Sequence, residues 1–81
     1  MIYNAIVQIM PAKELLDPQG KAVLGGLKNL GINAVNDVRV GKNITMQIEA
    51  QSKEAAHSIA TEASLKLLAN QVMETFEVSI I

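Results

Sequence analysis

Polar and apolar positions alternate along "IYNAIVQIM" (residues 2–10). Tyr3, Ala5, Val7 and Ile9 share one face, and Asn4 and Gln8 punctuate the other. A period of two predicts a strand, which Pro11 ends because it cannot donate to a ladder. Past "LDPQGK" (16–21) the period lengthens, and Val23, Leu24, Leu27 and Leu30 recur at helical spacing. Asp17 fits the N-cap of this helix, Pro18 its first position, where a missing N–H is harmless, and Gly31 its left-handed stop. Gly25 and Gly26 lie inside the helix at a cost of ~1 kcal/mol each against Ala. A close approach of helix to sheet is the expected offset.

"NAVNDVRV" (33–40) returns to alternation, with Val38 and Val40 opposite Asp37 and Arg39. "GKN" then reads as a turn, and "ITMQIEA" (44–50) resumes the period through Ile44, Met46 and Ile48. Two strands with so short a connection predict an antiparallel hairpin. Ser52 caps a second helix carrying Ala56, Ile59, Ala60, Ala63 and Leu67 at helical intervals, which Asn70 ends in the left-handed conformation. "ETFEVSII" (74–81) closes the chain as a strand with Phe76, Val78 and Ile80 facing one way.

With right-handed crossovers, this order predicts an α+β, ferredoxin-like β-α-β-β-α-β sandwich. A four-stranded antiparallel sheet would carry both helices on one face, in a single domain spanning residues 1–81. The other face would present Ile6, Gln8, Thr45, Gln47, Thr75 and Ser79, a mixture suited to another protein surface. Open edge strands and an uncovered face predict a homo-oligomer of at least two chains.

Composition narrows the chemistry. Apolar residues make up 49% of the 81, but aromatics only 2%, so the core must be aliphatic and no platform exists for stacking bases. Seven basic against eight acidic side chains give no electrostatic footprint for nucleic acid. The absence of cysteine removes disulfides and thiolate chemistry and fits a cytoplasmic protein. The N-terminus lacks the pattern of a signal peptide, and no apolar run is long enough to span a membrane.

No catalytic residue is expected. His57 stands alone on the polar side of the second helix, and Glu49, Glu54, Glu62, Glu74 and Glu77 are scattered as a charged surface. No metal-ligand spacing appears, and the glycines of "LGGLKNLG" match no nucleotide-binding fingerprint. A helix start with Lys21 nearby could attract an anion, but the Asp17 carboxylate already occupies that cap. Arg39 and Lys42 bring two cations to the hairpin, where they protect an edge or meet a partner's acidic surface.

Three stretches taken together, "LLDPQGKAV", "VNDVRVGKNI" and "KLLANQVMETFEVSI", resemble the PurS family. Its members are small subunits of phosphoribosylformylglycinamidine synthase, and the resemblance covers nearly the whole chain. It implies a non-catalytic subunit of a glutamine- and ATP-dependent C–N ligase in purine biosynthesis. It would join a large synthetase subunit, which uses ATP and Mg²⁺, to a glutaminase subunit and support ammonia transfer between them. No cofactor is implied in this chain. The family's motifs fall on Asp17, Pro18, Gln19, Gly20 and Lys21; on Val38, Arg39, Gly41 and Lys42; and on Leu67, Leu68, Ala69, Asn70, Glu74 and Val78. Of these, Asp17 to Lys21, Arg39, Gly41, Lys42 and Asn70 are the expected partner-binding residues. The family often has Cys-Glu before the "KLLAN" run and Pro after it, where this chain has Ser64-Leu65 and Gln71. The alternative reading is a free-standing dimeric regulatory module that binds a small ligand.

Overall fold

A computed structural model describes residues 1–13 and 17–81. Its elements are β1 (Ile2–Pro11), α1 (Pro18–Asn29), β2 (Lys42–Glu49), α2 (Lys53–Ala63) and β3 (Glu74–Ile80). A five-residue π-helical turn (Ser64–Leu68) continues α2. β1 is the central strand, antiparallel to both neighbours in the order β2-β1-β3. Ala5 stands between Met46 and Ile80, and Val7 between Ile44 and Val78. The alternation read from the sequence thus becomes one continuous aliphatic face.

α2 covers that face. Its small Ala56 and Ala60, both fully buried, let the helix approach Ala5 and Ile48. The π turn then shifts the helical register by one residue. The backbone N–H of Ala69 reaches the Ser64 carbonyl, five residues back, at 3.0 Å. Leu68 and Ala69 consequently pack on Val7 and Ile9, whereas Leu67, expected on the apolar stripe, is 82% exposed. Ser64 is buried with its hydroxyl donating to the Ala60 carbonyl at 2.8 Å.

Two expectations fail together. The sheet has three strands among the described residues instead of four, because residues 33–40 pair with nothing in it. Nor does α1 lie beside α2, since it packs extensively on no other element. Only Gly20 of α1 is buried, and Val23 and Leu30 are exposed. The physical reason is that "GKN" does not turn back. β2 begins at Lys42, and the preceding residues lie against the start of α1. Gly25 and Gly26 are therefore not close-approach residues within the chain, as a Cβ at either would meet open space.

The chain is 51 Å long and 24 by 14 Å across. A ten-residue strand spans ~33 Å and a twelve-residue helix ~18 Å, so strand and helix are laid nearly end to end. Gly31 does adopt positive φ (82°), as its role of helix stop requires. Asn70 does not, because no non-glycine residue among those described has positive φ. α2 ends instead through the π turn, and the Gln71 amide donates to the Leu65 carbonyl at 2.7 Å.

Candidate functional site

The end of the sheet where β1 finishes and β2 and β3 begin gathers residues from all three conspicuous sequence stretches. Asp17 organises it. Its Oδ1 accepts from the Gly20 N–H at 3.0 Å, closing the N-cap of α1, and its Oδ2 accepts from the Val40 N–H at 2.9 Å. One carboxylate therefore starts the helix and ties the returning chain to it. The Gly20 N–H bond is the larger cause, and that of Val40 the second, of an Asp17 pKa held below its ordinary value. Gly20 must be glycine for this contact, because a Cβ would overlap the Val38 carbonyl oxygen and the Asp17 carboxylate.

Opposite Asp17, Asn70 and Glu74 form a second local device. The Asn70 side-chain oxygen accepts from the Val72 N–H at 3.0 Å, and the Glu74 carboxylate accepts from the Asn70 N–H at 2.7 Å. That bond, followed by the Lys42 ammonium 3.4 Å away, lowers the Glu74 pKa. β2 and β3 are thereby joined across the end of β1. Gly41 passes so close to β1 that a Cβ would overlap the Ile9 carbonyl oxygen and the Met10 sulfur.

Between these devices lies an open cleft of about 590 Å³. Its lining includes Asp17, Pro18, Gln19, Gly41, Lys42 and Asn70, all singled out in the sequence. Gly20 is buried beneath it. Lys21 and Arg39 are not part of the lining. Lys21 is exposed on α1, while the half-buried Arg39 donates from its guanidinium to the Pro11 carbonyl. Arg39 thus bonds inward to the backbone at the end of β1.

Pro11, Val40, Met73 and Glu74 also line the cleft and were not among the expected site residues. The pairing of Pro11 with Glu74 depends on strand register, which no local pattern reveals. His57 is exposed, and its Nδ1 lies 3.5 Å from the Thr61 hydroxyl. Among the described residues no cluster of three or more His, Cys, Asp or Glu could hold a metal ion. None of the helices described is long and apolar enough to cross a membrane.

Residues 4–81 match the family model described as PurS, phosphoribosylformylglycinamidine (FGAM) synthase. The synthase subunit PurS of Mycobacterium leprae is 36% identical over 76 residues, which are 94% of this chain and 92% of the relative. The structure of Bacillus subtilis PurS superposes with a TM-score of 0.87 at 34% identity, covering 98% of each chain. A chain in the structure of PurLQS from Thermotoga maritima gives a TM-score of 0.92 at 28% identity, covering 100% of this chain and 99% of that one. Such agreement over full length means that the outstretched α1 is shared with experimentally determined relatives.

Proposed function

The chain belongs to the PurS family and is a subunit of phosphoribosylformylglycinamidine synthase, acting in purine biosynthesis; from this we infer that its cleft end meets the other subunits and helps couple ammonia release to ammonia use. One observation carries the reading. Three sequence stretches far apart along the chain converge on a single cleft at one end of the sheet. The T. maritima PurLQS chain, which shares the fold over its full length, supports assembly with synthetase and glutaminase subunits. In this reading ATP and Mg²⁺ belong to the synthetase, this chain contributes no catalytic group, and the complex works in the cytoplasm. The chain also associates with itself, a reading supported by its elongated shape and exposed aliphatic residues.

Charge reversal on the cleft wall tests the coupling role. Lys42 is half exposed and pairs with Glu74 among the described residues, so Lys42→Glu places two like charges where a neutralised pair stood. Combined with Gln19→Arg, it alters the lining without touching the buried core. Lys66→Glu, in the π-helical turn that continues α2 and outside the cleft lining, is the control. The double variant should keep its fold by circular dichroism and lose most glutamine-dependent synthesis. Synthesis driven by free ammonia should largely survive. Equal loss of both activities would sink the coupling role, and full retention of both would remove the cleft from the docking surface.

A further inference from the structure

β3 pairs with β1 along one edge, and among the described residues no strand pairs with its outer edge. The two ends of the ladder show which backbone groups face that edge. The Ile81 N–H donates to the Asn4 carbonyl at 2.9 Å, and the Ala12 N–H donates to the Met73 carbonyl at 2.8 Å. Between these bonds the register is unbroken, from Ala5 with Ile80 to Pro11 with Glu74. Antiparallel pairs alternate between bonded and non-bonded, so Thr75, Glu77 and Ser79 turn their backbone N–H and C=O towards β1. Phe76, Val78 and Ile80 turn theirs outward. Glu74, next in that phase, is already held, since its N–H donates to the Asn70 carbonyl at 2.7 Å. The open run is therefore residues 76–80.

Little in β3 guards this edge. Sheet edges are commonly blunted by Lys, Pro, a bulge or a very short strand. β3 is seven residues long, has no bulge in its register and contains no Lys, Arg or Pro. Its charges are Glu74, which the Lys42 ammonium and the Asn70 N–H engage, and Glu77. Glu77 is exposed on the face away from α2, without an ion-pair partner among the described residues. That carboxylate also makes a second copy of β3 a poor match for the edge. In antiparallel self-pairing, the registers that keep all three outward residues paired set Val78 against Val78 or against Phe76. They place Glu77 of one copy diagonal to, or directly opposite, Glu77 of the other. Like charges so placed repel.

We propose, resting on the subunit role inferred above, that β3 takes an added strand from another subunit of the synthase: an extended segment that pairs with residues 76–80 and carries Lys or Arg against Glu77. Main-chain bonds to the outward N–H and C=O groups supply the hold, and alternate side chains select the partner. Residues standing opposite Phe76, Val78 and Ile80 share the face that bears α2. They are apolar, because those three side chains are only half buried and the aliphatic layer continues past them. Residues opposite Glu77 and Ser79 share the other face, where a cation meets the free carboxylate. The strand is continuous with the cleft, since β3 starts at Glu74 in its lining. A subunit anchored on β3 is thereby held beside the cleft end.

Amide hydrogen exchange tests the pairing, because the two phases of β3 answer differently. Exchange is run in heavy water on this chain alone and assembled with the synthetase and glutaminase subunits. It is quenched in an aprotic solvent and read on the released chain by NMR, and sedimentation follows assembly. Alone, the amides of Phe76, Val78 and Ile80 should exchange fast, while those of Thr75, Glu77 and Ser79 are held by β1. Assembly should slow the three outward amides on the order of tenfold each, the effect of one hydrogen bond. Glu77→Lys should melt like the parent and weaken assembly on the order of tenfold, as a like-charge cross-strand pair would. Assembly that leaves the three amides fast overturns strand addition while the subunit role stands. Slow outward amides in the chain alone overturn it too, since a second copy would then hold the edge. Undiminished assembly by Glu77→Lys overturns the cationic segment. No assembly at all overturns the subunit role along with the added strand.

Discussion

α1 and α2 begin alike. Each has a side-chain cap, with Asp17 accepting from Gly20 N–H in one and Ser52 from Ala55 N–H in the other, and each carries aliphatic residues at helical spacing. α2 lies on the sheet through two fully buried alanines, while α1 extends beyond the sheet's end with one buried glycine. A cap and a stripe are enough to specify a helix and its apolar face. What that face covers depends on the path of the chain to either side.

The comparison is tested most severely by truncating an aliphatic side chain in each region. Ile9, fully buried under the π turn, should lose ~2–5 kcal/mol on Ile9→Ala. That loss should be the same at every protein concentration. Leu30, 77% exposed at the end of α1, should lose no more than ~0.5 kcal/mol in a dilute, dissociated chain. In concentrated samples Leu30→Ala should melt lower than the parent, because association stabilises only what it buries. Urea unfolding at two concentrations a hundredfold apart reads both effects. A concentration-independent loss for Leu30→Ala would mean that α1 packs within its own chain.

The glycines sharpen the contrast at smaller scale. A Cβ at Gly41 would collide with β1, so Gly41→Ala should cost ~1–3 kcal/mol as an overpacked junction. Gly25 lies in a helix with nothing near its Cβ position, and Gly25→Ala should stabilise by ~0.5–1 kcal/mol. Thermal melts of the two variants should shift in opposite directions. A shift in the same direction would remove the distinction between a crowded junction and an open helix.

The caps should differ more subtly. Ser52→Ala should cost ~1 kcal/mol, the usual value for one cap bond. Asp17→Ala should cost more, because its carboxylate also holds Val40. Asp17→Asn should restore the bond to Gly20 but place an N–H₂ donor against the Val40 N–H, so the rescue is partial. Full rescue by Asn would show that only the cap matters. Acid should loosen this junction as well. Asp17 and Glu74 both have folded-state pKa values lowered by backbone N–H donors. The stability they confer is therefore complete above the ordinary carboxylate range and is lost as pH falls through the lowered values. Asp17→Asn should flatten the acid limb of a stability-against-pH profile, while Ser52→Ala should leave its shape unchanged.

The sequence by itself determined whatever rests on neighbours a few residues apart. The alternation of Tyr3, Ala5, Val7 and Ile9 gave β1 its buried face, and Asp17, Pro18 and Ser52 marked both helix starts. Gly31 foretold a positive φ. The stretches around Asp17, Gly41 and Asn70 also pointed to the residues that line the cleft, although not to Pro11 or Met73. The tertiary structure decided the rest, because those outcomes depend on partners distant in sequence. Residues 33–40 have the alternation of a strand, but a strand needs an edge to pair with, and the straightened Gly41 junction carries them away from their own. Arg39 reads as a surface cation until the fold places the Pro11 carbonyl beside it. Leu67 lies on the apolar stripe of a regular helix and leaves it only because the π turn inserts one residue. Local patterns fix which faces are apolar; chain reversal and strand register fix what those faces meet.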